Sequence, residues 1–293
     1  MKNNFGLSSC AFLLPGIVLL ILFFLIPAFC TVVLSLTDWT IGSNAPVHFI
    51  GFKNYLTLFN DQNFWISVNN TLYLTVLVVP VSFIVALGLA LAMNSSGKWS
   101  PLWQSLYFLP TTASLVAMGV VWEYLLHPTL GLSAHIIRFF GSTLEINWLN
   151  DPDLVLITIA VISIWQSVGY YTLVFLSGLL QIPSSLYEAA RIDGANGWSR
   201  FTQITWPLLG STSIFIFVIT VIRTFQTFDL VKALTGGGPN KASEILLFTM
   251  YQEGFTFFRS GLSSSIATLY LFVMIALTVW VVQSIDHKIH YGY

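Results

Sequence analysis

Residues 182–209 read IPSSLYEAARIDGANGWSRFTQITWPLL, and they separate two runs that are each long and apolar enough to cross a bilayer. Pro183 ends the first run. Ser185 and Glu188 have the spacing of a capping box, in which each side chain satisfies backbone groups that a new helix leaves open, so a short helix is predicted here. Leu186, Ala189, Ala190 and Asp193 fall on one helical face, and two adjacent alanines leave that face flat enough for another protein's backbone to come close. Asp193-Gly194 and Asn196-Gly197 are turn signals. The helix is predicted to end near Gly194, and the chain to turn before climbing back through Trp206 and Pro207. Read plainly, this is a helix pair lying at a membrane surface between two spans.

Composition points the same way. The chain has 293 residues, of which 56% are hydrophobic, 15% aromatic and only 8% charged, with mean hydropathy +0.80; a soluble domain averages about 25% charged residues. A net charge of -1 and a pI near 6.5 leave no basic stripe to neutralise phosphates, which argues against a nucleic-acid partner. Cys10 and Cys30 both sit in the first apolar run, so neither a disulfide framework nor a thiolate zinc site is available, and both read as small apolar fillers. The histidines, His48, His127, His135, His287 and His290, read as loop or tail residues without ligand spacing, so no metal site is expected.

Six apolar segments run from about 11 to 36, 71 to 93, 102 to 126, 154 to 180, 206 to 227 and 261 to 283. The first is too long for a signal peptide and lacks a small-residue cleavage site, so it reads as an uncleaved helix that Pro15 and Pro27 can kink. Six spans put both termini on one side. That side carries Lys2, Lys98, Arg191, Arg200 and Lys288, against Lys53, Arg138, Arg223, Lys232, Lys241 and Arg259 on the other, so total charge does not orient the chain. Counting short connections alone, Lys98, Arg191 and Arg200 favour cytoplasmic termini. Between the first two spans lies a polar, aromatic loop with Gly51-Phe52-Lys53-Asn54-Tyr55 as a short turn.

Polar side chains recur at costly depth. Thr220, Arg223, Thr224, Thr227 and Asp229 step along the fifth span with Gln226 adjacent; Ser163, Trp165, Gln166, Tyr170 and Tyr171 lie near the middle of the fourth; Thr111, Thr112 and Ser114 follow Pro110 on the third. Such groups usually face a bundle interior or a water-filled cavity. Each alone reads equally as interhelical glue. Together, hydroxyls, amides and aromatic faces suit a path for a hydroxyl-rich solute. A buried Arg223 has two readings, pairing with Asp229 or meeting an anionic solute. The glycines of Thr235-Gly236-Gly237-Gly238-Pro239 suggest an anion cradle, but the Walker pattern ends in Gly-Lys-Ser/Thr, and Lys241 here follows Pro239-Asn240.

Glu188-Ala189-Ala190, Gly194, Ile204 and Pro207 resemble the EAA motif of permease subunits of binding-protein-dependent ABC importers, with Trp206 where that family usually carries leucine. The GFKNY segment and the Phe228-Asp229…Thr235-Gly236-Gly237-Gly238-Pro239 segment resemble signatures of the MalF- and UgpA-type sugar-importer permeases, the latter on the outer face where the solute-binding protein docks. The resemblance runs from about residue 52 to 283. It implies an all-α, polytopic permease of the type I importer class, one transmembrane domain over 1–293, with 182–209 as its cytoplasmic coupling loop. Glu188, Ala189, Ala190, Asp193 and Gly194 would dock into a groove of an ATPase subunit. A solute path is implied near Gln166, Tyr170, Thr220, Thr224 and Thr227, to which Thr111, Ser114 and Arg223 are added from their own positions. The implied partners are a second homologous permease, two ATPase subunits carrying the ATP and magnesium that this chain does not bind, an extracytoplasmic solute-binding protein, membrane lipid and a sugar-like substrate. A glycerol 3-phosphate importer is the alternative. A stand-alone secondary transporter would need an internal repeat and a mid-span carboxylate, and Glu123 and Asp229 lie near span ends. An intramembrane enzyme would need a nucleophile with its base, or a metal motif, and the sequence offers neither.

Overall fold

The computed structural model describes residues 7–95 and 97–286. Lys2, His287, Lys288 and His290 lie outside the described residues. Among those described, the fold is all-α, with one isolated bridge between Thr37 and Phe49. Five helices are long and apolar enough to cross a membrane, and a bent pair makes six when counted as one span.

The helices are Leu7–Leu20 (α1), Ile26–Leu34 (α2), Lys53–Asn60 (α3), Gln62–Ser95 (α4), Ser100–Thr112 (α5), Leu115–Leu125 (α6), Leu132–Phe139 (α7), Val155–Leu180 (α8), Ser184–Ile192 (α9), Gly197–Arg200 (α10), Trp206–Leu208 (α11), Gly210–Phe225 (α12), Phe228–Leu234 (α13), Leu246–Tyr251 (α14) and Ser260–Asp286 (α15). Contacts group them into two compact units, the described part of Met1–Phe64 with Thr249–Val273, and Trp65–Phe248 with the described part of Met274–Tyr293.

In the first unit, a π turn at Ile21–Leu25 joins α1 to α2 just before Pro27. Proline has no N–H to donate and its ring crowds the carbonyl a turn earlier, so the ladder relaxes there. Pro15 lies inside α1. Cys30 is exposed, which corrects its reading as an apolar filler within this chain. The GFKNY segment is a turn that starts a helix: Gly51 has φ +58°, and α3 follows. Asn54 Nδ2 donates to the carbonyls of Ser35 and Thr37 at 2.9 and 2.8 Å, and the Tyr55 hydroxyl meets Ser35 Oγ at 2.7 Å. These bonds close carbonyls left open where α2 ends. Gly261, at the start of α15, lies so close to the Thr37 carbonyl that a Cβ there would collide with it.

The second unit departs furthest from expectation. The predicted third span is two helices, α5 and α6, set at 97° to each other. Ala113 and Ser114 between them are extended, with ψ 143° and 128°. Pro110 weakens the ladder, and the break itself comes three residues later. The segment after the fifth span, read as an external loop, begins as α13, with Leu230 and Val231 fully buried and Ala233 packed on Gly119 of α6. Together α12 and α13 make one apolar run, Gly210–Leu234, interrupted at Gln226-Thr227. The second span is also longer than read: α4 has 34 residues, and at 1.5 Å per residue it reaches about 51 Å, well past the ~30 Å hydrocarbon layer. The polar loop at 127–153 contains α7, on which His135 sits.

Two apolar clusters hold this unit. One packs Leu74, Val155, Ile159, Ile162, Leu230, Val231 and Phe248; the other packs Ala86, Ala90, Val168, Tyr171, Phe175, Leu209 and Ile216. Helix α8 runs through both, and its Gln166 and Ser167 fall between them. Gly169 lets α5 lie directly on α8, because a Cβ at that position would overlap the Tyr107 carbonyl. Gly169→Ala is therefore expected to force the helices apart and cost about 1–3 kcal/mol. Thermal unfolding of the purified protein in detergent checks this, with Gly88→Ala as the control, since a Cβ there meets nothing within 4 Å.

Candidate functional site

Ser163, Gln166 and Ser167 of α8 face a cavity of about 360 Å³, lined also by Val78, Leu115, Tyr171, Arg223, Thr224, Gln226, Thr227, Asp229 and Leu230. A second hollow of about 280 Å³ shares Leu115, Gln166, Ser167, Arg223 and Asp229 with it and adds Thr111, Ala113, Ser114 and Val116. The two hollows adjoin through these five shared residues, and each is of the order of a small-ligand pocket. Both helix breaks open onto this space. At Ala113-Ser114 the N-terminal amides of α6 are left without helical partners, and at Gln226-Thr227 the ladder of α12 ends before α13 begins.

Four lining hydroxyls, those of Thr111, Ser167, Thr224 and Thr227, have definite hydrogen-bond partners. Thr111 Oγ1 donates to the Gln166 carbonyl at 2.8 Å, tying the end of α5 to α8. Thr224 and Thr227 donate their hydroxyl protons to the carbonyls of Thr220 and Thr224, both at 2.8 Å, so each oxygen keeps lone pairs for another donor. Ser167 likewise donates to the Ser163 carbonyl at 2.7 Å. Ser163 Oγ is buried without a partner. The Arg223 guanidinium lies over the Tyr170 ring, 4.8 Å from its centroid. Arg223 and Asp229 share the cavity wall but form no ion pair with each other, and both are exposed within this chain. The expectation of a buried Arg223 is thus corrected: two helix interruptions open the wall beside it.

Of the eight residues singled out for a path, Thr111, Ser114, Gln166, Arg223, Thr224 and Thr227 line this space. Thr220 does not. It is 1% exposed and its hydroxyl is bonded to the Ile216 carbonyl at 2.6 Å, an intrahelical bond. Tyr170 lines a separate groove and touches the cavity wall through Arg223, which stacks on it, and through the ring of Tyr171. Ser167 was missed, although it stands one helical turn from Ser163 and so shares its face.

The 182–209 segment forms the expected helix and turn. α9 ends in a Schellman arrangement: Gly194 has φ +78°, its N–H donates to the Arg191 carbonyl at 3.1 Å, and Ala195 N–H donates to the Ala190 carbonyl at 2.8 Å. The capping box does not form. Pro183 is the N-cap, no side chain caps the start, and Ser185 falls inside the first turn. Asn196 caps the next helix instead, accepting from Ser199 N–H at 2.8 Å. Ile182 is buried and Tyr187 bonds Thr205 Oγ1 at 2.9 Å, anchoring one side of the loop. Glu188, Ala189, Asp193 and Gly194 are exposed, Ala190 is half-buried, and Ile192 is 87% exposed. Trp206 lies edge-on to Phe83 at 6.3 Å, so the indole is used in packing.

The glycine loop is no anion cradle. Gly236 N–H donates to Val231, Gly238 N–H to Thr235, and Gly237 N–H to Thr235 Oγ1, which leaves no convergent free amides. Gly236 and Gly237 take positive φ, and a Cβ at Gly237 would strike Phe248. Asn70 Nδ2 on α4 holds the loop's far end through the carbonyls of Lys241 and Glu244.

The family model described as binding-protein-dependent transport system inner membrane component matches residues 84–291. The chain belongs to this family. It is 35% identical over 282 residues to the probable ABC transporter permease protein YurN of Bacillus subtilis, covering 95% of this chain and 96% of that one. It is 32% identical to the sn-glycerol-3-phosphate transport system permease protein UgpA of Agrobacterium fabrum, covering 95% and 94%. A chain of a bacterial alginate ABC transporter, solved in complex with an alginate pentasaccharide-bound periplasmic protein, superposes with a TM-score of 0.85 at 22% identity, covering 98% of this chain and 96% of that chain. The chain is thus an inner-membrane permease subunit of an ABC importer, with ATP hydrolysis belonging to other subunits.

Proposed function

We propose that this permease subunit carries a di- or oligosaccharide, or a related polyol-like solute, through the cavity between the two helix breaks. The supporting observation is the lining: threonine and serine oxygens that keep lone pairs, the Gln166 and Gln226 amides and the Arg223 guanidinium, a mixture of acceptors and donors that suits hydroxyl groups. Arg223, Gln226 and Asp229 on the cavity wall are exposed within this chain, which fits completion by a second homologous permease. Two cytoplasmic ATPase subunits hold ATP and magnesium, an extracytoplasmic solute-binding protein delivers cargo, and this chain binds no cofactor. The loop at 182–209 and both termini face the cytoplasm.

Coupling runs through α9. The exposed Glu188, Ala189, Asp193 and Gly194, with Ala190 behind them, seat in an ATPase groove, and closure of the ATPase dimer rocks α8 and α12, which flank the loop. A Cβ at Gly194 meets nothing within 4 Å, so a substitution there acts only through the positive φ, at a cost of about 1–2 kcal/mol. Gly194→Val is expected to leave the subunit folded and assembled while separating ATP hydrolysis from transport. Parallel ATPase and uptake assays in proteoliposomes check this, and unchanged uptake contradicts the coupling role.

A second reading, a glycerol 3-phosphate importer, is favoured by the absence of an ion pair between Arg223 and Asp229 and by the name of the UgpA relatives. Stimulation of ATPase activity in the reconstituted complex with its binding protein decides between the two. A response to a neutral disaccharide or glucosyl-polyol is expected under the first reading and a response to glycerol 3-phosphate alone under the second, while no response to any of them counts against both.

A further inference from the structure

Tyr170 and Tyr171 are neighbours on α8 that face different spaces. Tyr171 lines the cavity, whereas Tyr170 lines a groove of about 540 Å³ that continues along α8 toward the loop at 182–209, past Ser177 and Gln181, with Thr212 and Phe215 of α12 and Phe108 of α5 on its other walls. All three helices give the same order. The groove takes the residues nearest that loop, and the cavity takes those beyond it: Phe108 before Thr111, Phe215 before Arg223, Gln181 after Gln166. At the junction the Arg223 guanidinium, which lines the cavity, lies 4.8 Å over the ring of Tyr170, which lines the groove. The polar cavity and the more apolar groove therefore follow one another along α8, and the stacked pair joins their walls.

We infer that Tyr170 is a positioning residue that holds Arg223 across this junction, so that the pair is this chain's share of the barrier between the two ends of the solute path. The inference rests on the permease reading above. A planar guanidinium stacked on an aromatic face is held by the ring quadrupole without a fixed hydrogen bond, so it can swing aside as α8 and α12 move without breaking a buried ion pair. Lysine lacks the planar stack. Phenylalanine keeps the face and lacks only the hydroxyl.

The test uses the assembled importer in membrane vesicles, with Cys10 and Cys30 replaced by serine and Ser114→Cys as the cavity reporter. A membrane-impermeant maleimide is added at the face where a separate Ser185→Cys reporter on the loop is labelled. At rest the reporter in the parent is expected to react slowly. Tyr170→Ala is expected to raise its rate about tenfold, near the upper range for one cation–π contact, and Tyr170→Phe to leave it slow. Arg223→Lys is expected to behave like Tyr170→Ala. A parent already labelled fast, no change in Tyr170→Ala, or a Tyr170→Phe rate matching Tyr170→Ala overturns the inference. ATP-driven uptake by the unsubstituted importer in matched vesicles is a separate readout: its absence tells against the permease reading, while the labelling ratios judge the barrier.

Discussion

In hydrocarbon there is no water to satisfy a backbone N–H or C=O, so a helix that crosses a membrane can break only where something else supplies the missing partner or where the break lines a polar space. That constraint governs the second unit. The chain breaks at Ala113-Ser114 and again at Gln226-Thr227, and both breaks open onto the two adjoining hollows beside the polar level of α8. Thr111 then ties the first break to the Gln166 carbonyl. The hydroxyls of Thr224 and Thr227 back-bond where the ladder of α12 runs out. The polar residues at the breaks are there at least in part because the backbone needs partners at that depth.

Helix α8 is the element that relates the parts. One end is fixed in the cluster around Val155 and Ile159, the other in the cluster around Phe175 and Leu179, and the polar residues lie between the two. It passes directly into the loop whose helix α9 exposes Glu188 and Ile192. A force applied at α9 therefore enters a continuous helix whose middle forms the cavity wall. Gly169 and Gly178 keep α5 and α12 against it, since a Cβ at either would meet the Tyr107 carbonyl or Thr212 Oγ1. Close packing of this sort moves as a body and does not deform gradually.

Much of this was legible in the chain. Apolar length gave the spans, Gly194 gave the left-handed turn, and the three- and four-residue spacing of Arg223, Thr224, Thr227 and Asp229 gave most of one cavity wall. What escaped has physical reasons. Hydropathy does not register a bend, so α5 and α6 read as one span, and the polar, glycine-rich flank of α13 hides a helix whose Leu230 and Val231 are buried. Ser185 and Glu188 have capping-box spacing, but Pro183 already sets the extended backbone before α9, and the helix begins two residues sooner. Thr220 shares the spacing of Thr224 yet turns into the core, because sequence period alone does not say which part of a helix face a neighbour covers. The hold of Asn70 on the carbonyls of Lys241 and Glu244 joins residues far apart in the chain, and no local pattern announces it.

On the reading proposed above, the solute sits in the space between the two helix breaks. An electron cryo-microscopy structure of the complete importer, trapped with its solute and without hydrolysis, tests this most directly. The account predicts solute density against Gln166 and Arg223, with both breaks retained. Density elsewhere along the subunit interface, with this cavity filled by side chains of the second permease, would contradict it.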